Sequence, residues 1–151
     1  MDIDDSCWPV VVATCPTTFP LESVGEMATA FGKLLARREK FVLIVDARPL
    51  RQIPDARWRK ELAAWMNDPG FRDTQARYNL GSANILPVAA PLRAVMTAIT
   101  WLWNPPTPQS YPGEMRDAID WALERLDKAG VTGPAGTDLR AELTRRAAPR
   151  G

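Results

Sequence analysis

Histidine is absent from all 151 residues, and that absence removes a large share of enzyme chemistry. Ser/His/Asp and Cys/His nucleophilic pairs are excluded, together with every metal site that uses imidazole. Cysteine is nearly absent: Cys7 and Cys15 are the only two. Extended chain between them would hold their α-carbons roughly 26 Å apart, too far for a disulfide with each other. They read as two free thiols in a reducing cytosol, with a reactive or metal-binding cysteine as the alternative. No apolar run approaches the roughly eighteen residues of a membrane span, and no basic segment followed by an apolar run opens the chain. Neither a membrane partner nor a secretion signal is expected, and the expected location is the cytoplasm. The nine glycines are isolated except around 130–136, so phosphate-loop and dinucleotide patterns are missing too. No cofactor and no metal is expected.

A strong field of one sign is also lacking. The formal charge of +1 implies neither nucleic acid nor an anionic membrane as partner. The charge is uneven, however. Arg140, Arg145, Arg146 and Arg150 face only Asp138 and Glu142 in the last twenty-one residues, making that end mildly basic and the body close to neutral.

What is present is an apolar run, Phe41, Val42, Leu43, Ile44 and Val45, closed by Asp46. Such a run reads as a strand buried on both faces, which needs helices above and below it. Pro49 ends it and opens a loop at the strand's carboxyl end, where α/β sheets place their binding sites. A short strand is predicted over 10–13, a second over 80–88 weakened by Gly81 and Pro87 and shorter than the central one, and a stubby edge strand over 109–112. Residues 1–6 are expected to be loose. Between the strands, apolar residues at three- and four-residue spacing predict helices over 21–38, after an Asp55 N-cap, over 92–103 and over 113–129. One further turn or two is expected over 71–78.

The fold class expected is α/β: one small domain over 8–130, with a sheet of about four strands and alternating βα units packed by about four helices. Beyond it, 131–151 reads as a flexible linker and a short basic C-terminal helix or tail. That tail has only Leu139 and Leu143 to bury, so its deletion is expected to leave the core intact.

The order of elements, with 31–48 (FGKLLARREKFVLIVDAR), the triplet Ile53, Pro54, Asp55 with Trp65 downstream, and 91–106 (PLRAVMTAITWLWNPP) with Trp121, resembles the STAS domain, the SpoIIAA-like fold of anti-sigma-factor antagonists. The likeness is to small bacterial members of uncharacterised function and spans about 10–130. It implies a protein-interaction module, whose antagonist members are switched by phosphorylating a serine at the start of the helix after the central strand. No serine or threonine lies between Asp46 and Arg72 here. Either that switch is lost or Asp55 stands as a fixed negative charge. The layout also resembles the lipid-carrying Sec14-like fold, for whose long cavity this chain is small.

The leading functional expectation is therefore a non-enzymatic regulatory module that binds another protein, or itself as a homodimer. Its candidate surface comprises Arg48, Arg51, Asp55 and Arg57, in a stretch with a local balance of +3 between Asp46 and Lys60, for which a solvated helix face is the plainer reading. Trp101 joins them: it falls about 160° from Ile99 on the 92–103 helix, beside Ala94 and Ala98, as an interface residue or as a ring over the proline-rich 105–108 loop. The rival expectation is a carrier that holds an apolar or aromatic ligand between the tryptophan-rich 92–103 helix and the sheet. An enzyme using Asp46 with Arg48 is a third reading, against which Asp46 simply caps its loop or pairs with a neighbouring arginine. Replacing Ile44 with aspartate should abolish folding by placing an unpaired charge in the doubly buried strand; a soluble variant with a cooperative melt would refute that assignment.

Overall fold

The computed structural model describes residues 1–148, with the side chains of Thr100, Trp101, Leu102 and Trp103 outside the description. At its centre lies the strand expected from the apolar run, here called β3 (Phe41–Asp46). Phe41, Val42 and Ile44 have no exposed surface. Parallel neighbours flank β3: β2 (Val10–Thr14) sets Val12 beside Ile44, and β4 (Asn79–Ile85) sets Ala83 on its other side. At the edges, β1 (Asp2–Asp4) runs antiparallel to β2 and β5 (Gln109–Ser110) runs parallel to β4. The result is a five-stranded mixed sheet in the order β1-β2-β3-β4-β5.

Two local expectations need correction. The first residues are not loose, because Asp2 and Ile3 pair with Thr14 and Ala13 and extend the sheet by one strand. Nor is β4 the shorter strand: it has seven residues against six in β3. Pro87 lies beyond its end, and Gly81 is absorbed as an irregularity in the pairing with β3.

Among the described residues there are six helices: α1 (Ser23–Ala36), α2 (Ala56–Met66), α3 (Pro69–Tyr78), α4 (Ala90–Trp103), α5 (Met115–Lys128) and α6 (Leu139–Ala147). Their ends follow local chemistry. Asp55 caps α2 by accepting from the Arg57 backbone N–H, and Asp68 caps α3 by accepting from that of Phe71. Gly130 takes the left-handed conformation just past α5, at φ +67°, where a glycine costs least. No described helix is long and apolar enough to cross a membrane.

Strand order dictates where these helices lie. Each parallel strand from β2 to β5 is added beside its predecessor in one direction, so right-handed crossovers carry every connecting helix to the same face. On that face Val11, Ala13 and Leu43 pack against Phe31, Leu34 and Leu35 of α1. The opposite face, carrying Val10, Val42, Ile44, Ala83 and Ile85, is left to the helices after β5. It is covered by Ala118, Ile119, Ala122 and Leu126 of α5 and by Leu143 of α6.

The segment beyond Gly130 thus has more to do than its two leucines suggest. Leu143 is 2 % exposed, and Val131 and Leu139 pack half-buried against the same cluster. Arg140 pairs with Asp120 of α5, and Arg146 reaches Asp4 of β1 at 3.4 Å. The Asp4 carboxyl is held below its ordinary value chiefly by the Ser6 hydroxyl, against a smaller upward push from burial, with Arg146 assisting. That contribution is present above the unfolded carboxyl value and fades as pH falls through the folded one. Deletion of 131–151, silent if the tail were free, is instead expected to cost about 3 kcal/mol for one fully and two partly buried apolar side chains. A melting temperature lower by about 6–12 °C would register it, and an unchanged melt would show that α6 does not hold its place.

Candidate functional site

The charged residues singled out in the sequence fall at the carboxyl end of β3, and the structure gives each a local partner. Asp46 is nearly buried and accepts three hydrogen bonds from Arg48: from its backbone N–H at 3.1 Å, from Nε at 2.9 Å and from Nη2 at 2.7 Å. The Arg48 guanidinium is held above its ordinary value by that carboxylate, with burial opposing. Arg51 donates from Nη1 to the carbonyls of Arg48, at 2.6 Å, and Leu50, at 3.2 Å, tying the loop to itself. Asp55 and Arg57 meet at the start of α2, where Arg57 also pairs with Glu61 at 3.3 Å. Arg48 and Arg51 are thereby brought together, as are Asp55 and Arg57. The side chain of Trp101 lies outside the described residues.

Asp46 and Arg48 also line a polar cleft of about 330 Å³ under the end of α6, with Thr14, Asp4 and Arg146. Its cations are committed, Arg48 to Asp46 and Arg146 to Asp4 and Glu142. Among the described residues no group of three His, Cys, Asp or Glu side chains is placed to hold a metal ion.

A second space differs in every respect. It lies between the sheet and the helices on its crossover face, measures about 130 Å³, and is lined almost wholly by apolar groups. Its aromatic wall is built from contacts between elements. Phe19 stacks on Trp58 of α2 with ring centroids 4.5 Å apart, and Trp65 of α2 touches both Phe71 of α3, at 4.6 Å, and Phe31 of α1, at 5.8 Å. Trp58 satisfies its one polar atom inside that wall by donating from Nε1 to the Ser23 hydroxyl at 2.8 Å. Met96 and Ile99 of α4 line the chamber, as do Met1 and Cys15. The Cys15 thiol is pushed up to about 12 by burial and then by the charge of Asp46, which keeps it protonated at neutral pH.

The chamber owes its existence to a mismatch between α4 and the strand beneath it. α4 turns Leu92, Met96 and Ile99 toward the Phe19 and Trp58 cluster, and its main neighbour is α2 rather than a strand. Below, β4 presents Ser82 and Asn84 on the chamber side. A helix with an apolar stripe does not settle closely onto a polar strand face.

Gly81 decides which β4 side chains look into the chamber. Asn79 pairs with Phe41 but Ser82 pairs with Leu43, so β4 carries one residue more than β3 over this interval. That extra residue exchanges the faces of everything after it. Ser82 and Asn84 then share a face with Leu43 and Val45, while Ala83 and Ile85 turn to α5. Gly81 has φ +148°, and a Cβ there would stand 2.6 Å from the Trp121 ring and 2.9 Å from the Pro108 carbonyl oxygen.

Gln75, Asn79, Ser82 and Asn84 were not singled out by sequence reasoning. The signal lay in β4 itself, where polar residues at 82 and 84 recur with period two in a strand that must be interior to the sheet. Substituting Gly81 with alanine should destabilise the fold by more than about 1 kcal/mol and slip the β4 register; a variant with unchanged stability and unchanged amide shifts over β4 would show the irregularity to be dispensable.

No protein-family model matches the chain, and neither a curated protein nor a solved structure matches it significantly.

Proposed function

We propose that the protein binds a small, mainly apolar, ring-bearing molecule in the chamber between the sheet and α4, as a carrier or sensor. The observation that carries this reading is the combination of aromatic walls with a polar β4 floor under an apolar helix. Ligand sites are characteristically of this make: apolar and aromatic walls with a few placed polar groups. The volume of about 130 Å³ is close to that of a dry apolar cavity that admits benzene, about 150 Å³. It suits one ring and leaves no room for a long acyl chain.

A second reading, the STAS-like interaction module, is favoured by a different observation. The three exposed large hydrophobic residues among those described, Ile53, Val88 and Tyr111, follow β3, β4 and β5 respectively. All three therefore lie on loops at one end of adjacent strands, together with Arg51 and next to Arg57 in the first turn of α2. Exposed apolar groups beside arginines suit a protein partner, including a second copy of the chain.

Native mass spectrometry of protein purified without denaturation from its own host separates the two readings. The ligand reading expects a non-covalent adduct of about 100–200 Da, consistent with a single substituted ring, that is released on unfolding. A monomer of bare chain mass would overturn it. A protein complex or dimer that an Ile53→Asp, Val88→Asp variant dissociates would place the function on the strand-end loops instead.

A further inference from the structure

We infer that the chamber recognises a neutral ring compound with an amide-like edge, one hydrogen-bond acceptor beside one donor, and this inference rests on the ligand-binding reading. It follows from the direction in which the floor's side-chain amides are forced to point. The Gly81 backbone N–H donates to Asn79 Oδ1 at 3.0 Å, so Asn79 must turn its Nδ2 outward, where it donates to Gln75 Oε1 at 2.8 Å and to Ser82 Oγ at 3.3 Å. Gln75 has then used its oxygen. Its Nε2, with two N–H groups, has no partner among the described residues although the residue is only 5 % exposed. No described side-chain N or O atom that is completely enclosed lacks a partner. The Gln75 nitrogen therefore keeps some accessible surface, and Gln75 is among the residues that line the chamber.

A second relay sets the complementary group. Gln109 donates from Nε2 to the Thr107 carbonyl and hydroxyl, each at 3.2 Å, which turns its Oε1 toward Asn84. Asn84 donates to that oxygen from Nδ2 at 2.9 Å, leaving Oδ1 as an acceptor without a donor among the described residues. Ser82, which accepts through Oγ, retains its hydroxyl hydrogen. The floor thus offers donors at Gln75 and Ser82 and an acceptor at Asn84. Those groups match a carbonyl and an adjacent N–H on one edge of a bound ring.

Charge excludes the obvious competitors. Among the described residues no Lys, Arg, Asp or Glu side chain lines the chamber. Its one charge is the amino terminus of Met1, which precedes β1 and is separated from β4 by β2 and β3, so a carboxylate or ammonium held at the β4 edge would be buried without a counter-charge beside it. An unsubstituted hydrocarbon fits the walls but would cover the Gln75 amide and leave it unpaired, which is the costly half of the hydrogen-bond balance.

Three ring compounds of nearly equal shape test this: benzamide, benzoate and cumene, titrated at neutral pH with binding followed by amide chemical shifts of β4 and α3. Benzamide should bind the wild-type protein, cumene should bind it more weakly because it leaves the Gln75 amide unpaired, and benzoate should not bind. In Gln75→Met, benzamide should weaken by about tenfold while cumene is unchanged or tighter. Cumene binding reports in the same sample that the variant has kept its chamber, and Ser82→Ala gives a second, smaller deletion at the same edge. If cumene binds and benzamide does not, or if Gln75→Met weakens both equally, the polar-edge inference falls and the ligand-binding reading stands. Benzoate binding as tightly as benzamide overturns the neutral class. If none of the three binds, both readings fall.

Discussion

The pairing of β4 with β3 is the constraint on which the two faces of this sheet depend. Side chains on a strand alternate, so a single unmatched residue exchanges the faces of everything beyond it. With Gly81 as that residue, Ala83 and Ile85 complete the dry contact with α5, and Ser82 and Asn84 turn to the helices on the other side. Without it the small and apolar residues would lie under α4, and the serine and asparagine would meet Ala118 and Ala122. The close approach of Trp121 to Gly81 is part of the same arrangement, since the indole occupies the space that any Cβ would need.

Strand order imposes a second asymmetry. Four helices crowd one face because every crossover must return on that side, and the other face depends on the helices after β5. That is why α5, with four residues nearly or fully buried at 118, 119, 122 and 126, is indispensable, and why α6 is held there despite its short apolar complement. The crowded face has its own difficulty: its helices must cover a floor that is apolar under α1 and polar under α4. The aromatic rings of α2 and α3 bridge that change, and the chamber forms where the bridge ends.

At the carboxyl end of β3 charge has a local role, whereas Arg140 with Asp120 and Arg146 with Asp4 join distant elements. The ion pairs at Asp46 and Arg48, and at Arg57 and Glu61, join groups within four residues of each other and shape the loop and helix that carry them. Buried polarity is handled by amides instead, through a relay from Thr107 to Asn84 and another from Gly81 to Gln75. Amides suit an enclosed floor because they carry no net charge to desolvate, and because fixing one end of an amide determines what the other end can bind.

The central strand, the alternation of strands and helices, the Asp55 cap, the Gly130 terminus and the Asp46–Arg48 pairing were all legible in the sequence, because each rests on a short-range pattern: an apolar run, a three-to-four spacing, a side chain two residues from the group it binds. The α/β class follows from the same patterns, with five strands where about four were expected. What the chain could not reveal on its own was anything set by which elements become neighbours. β1 exists only because β2 has a free edge for it, and α6 is buried only because the crossovers leave one face to the C-terminal helices. The polarity of 82 and 84 is visible in the sequence, yet its direction is fixed by one unmatched residue in a pairing between segments nearly forty positions apart. The chamber, its aromatic wall and the free Gln75 amide belong to that last class: tertiary structure alone decides them, since each is a property of the space between elements rather than of any one of them.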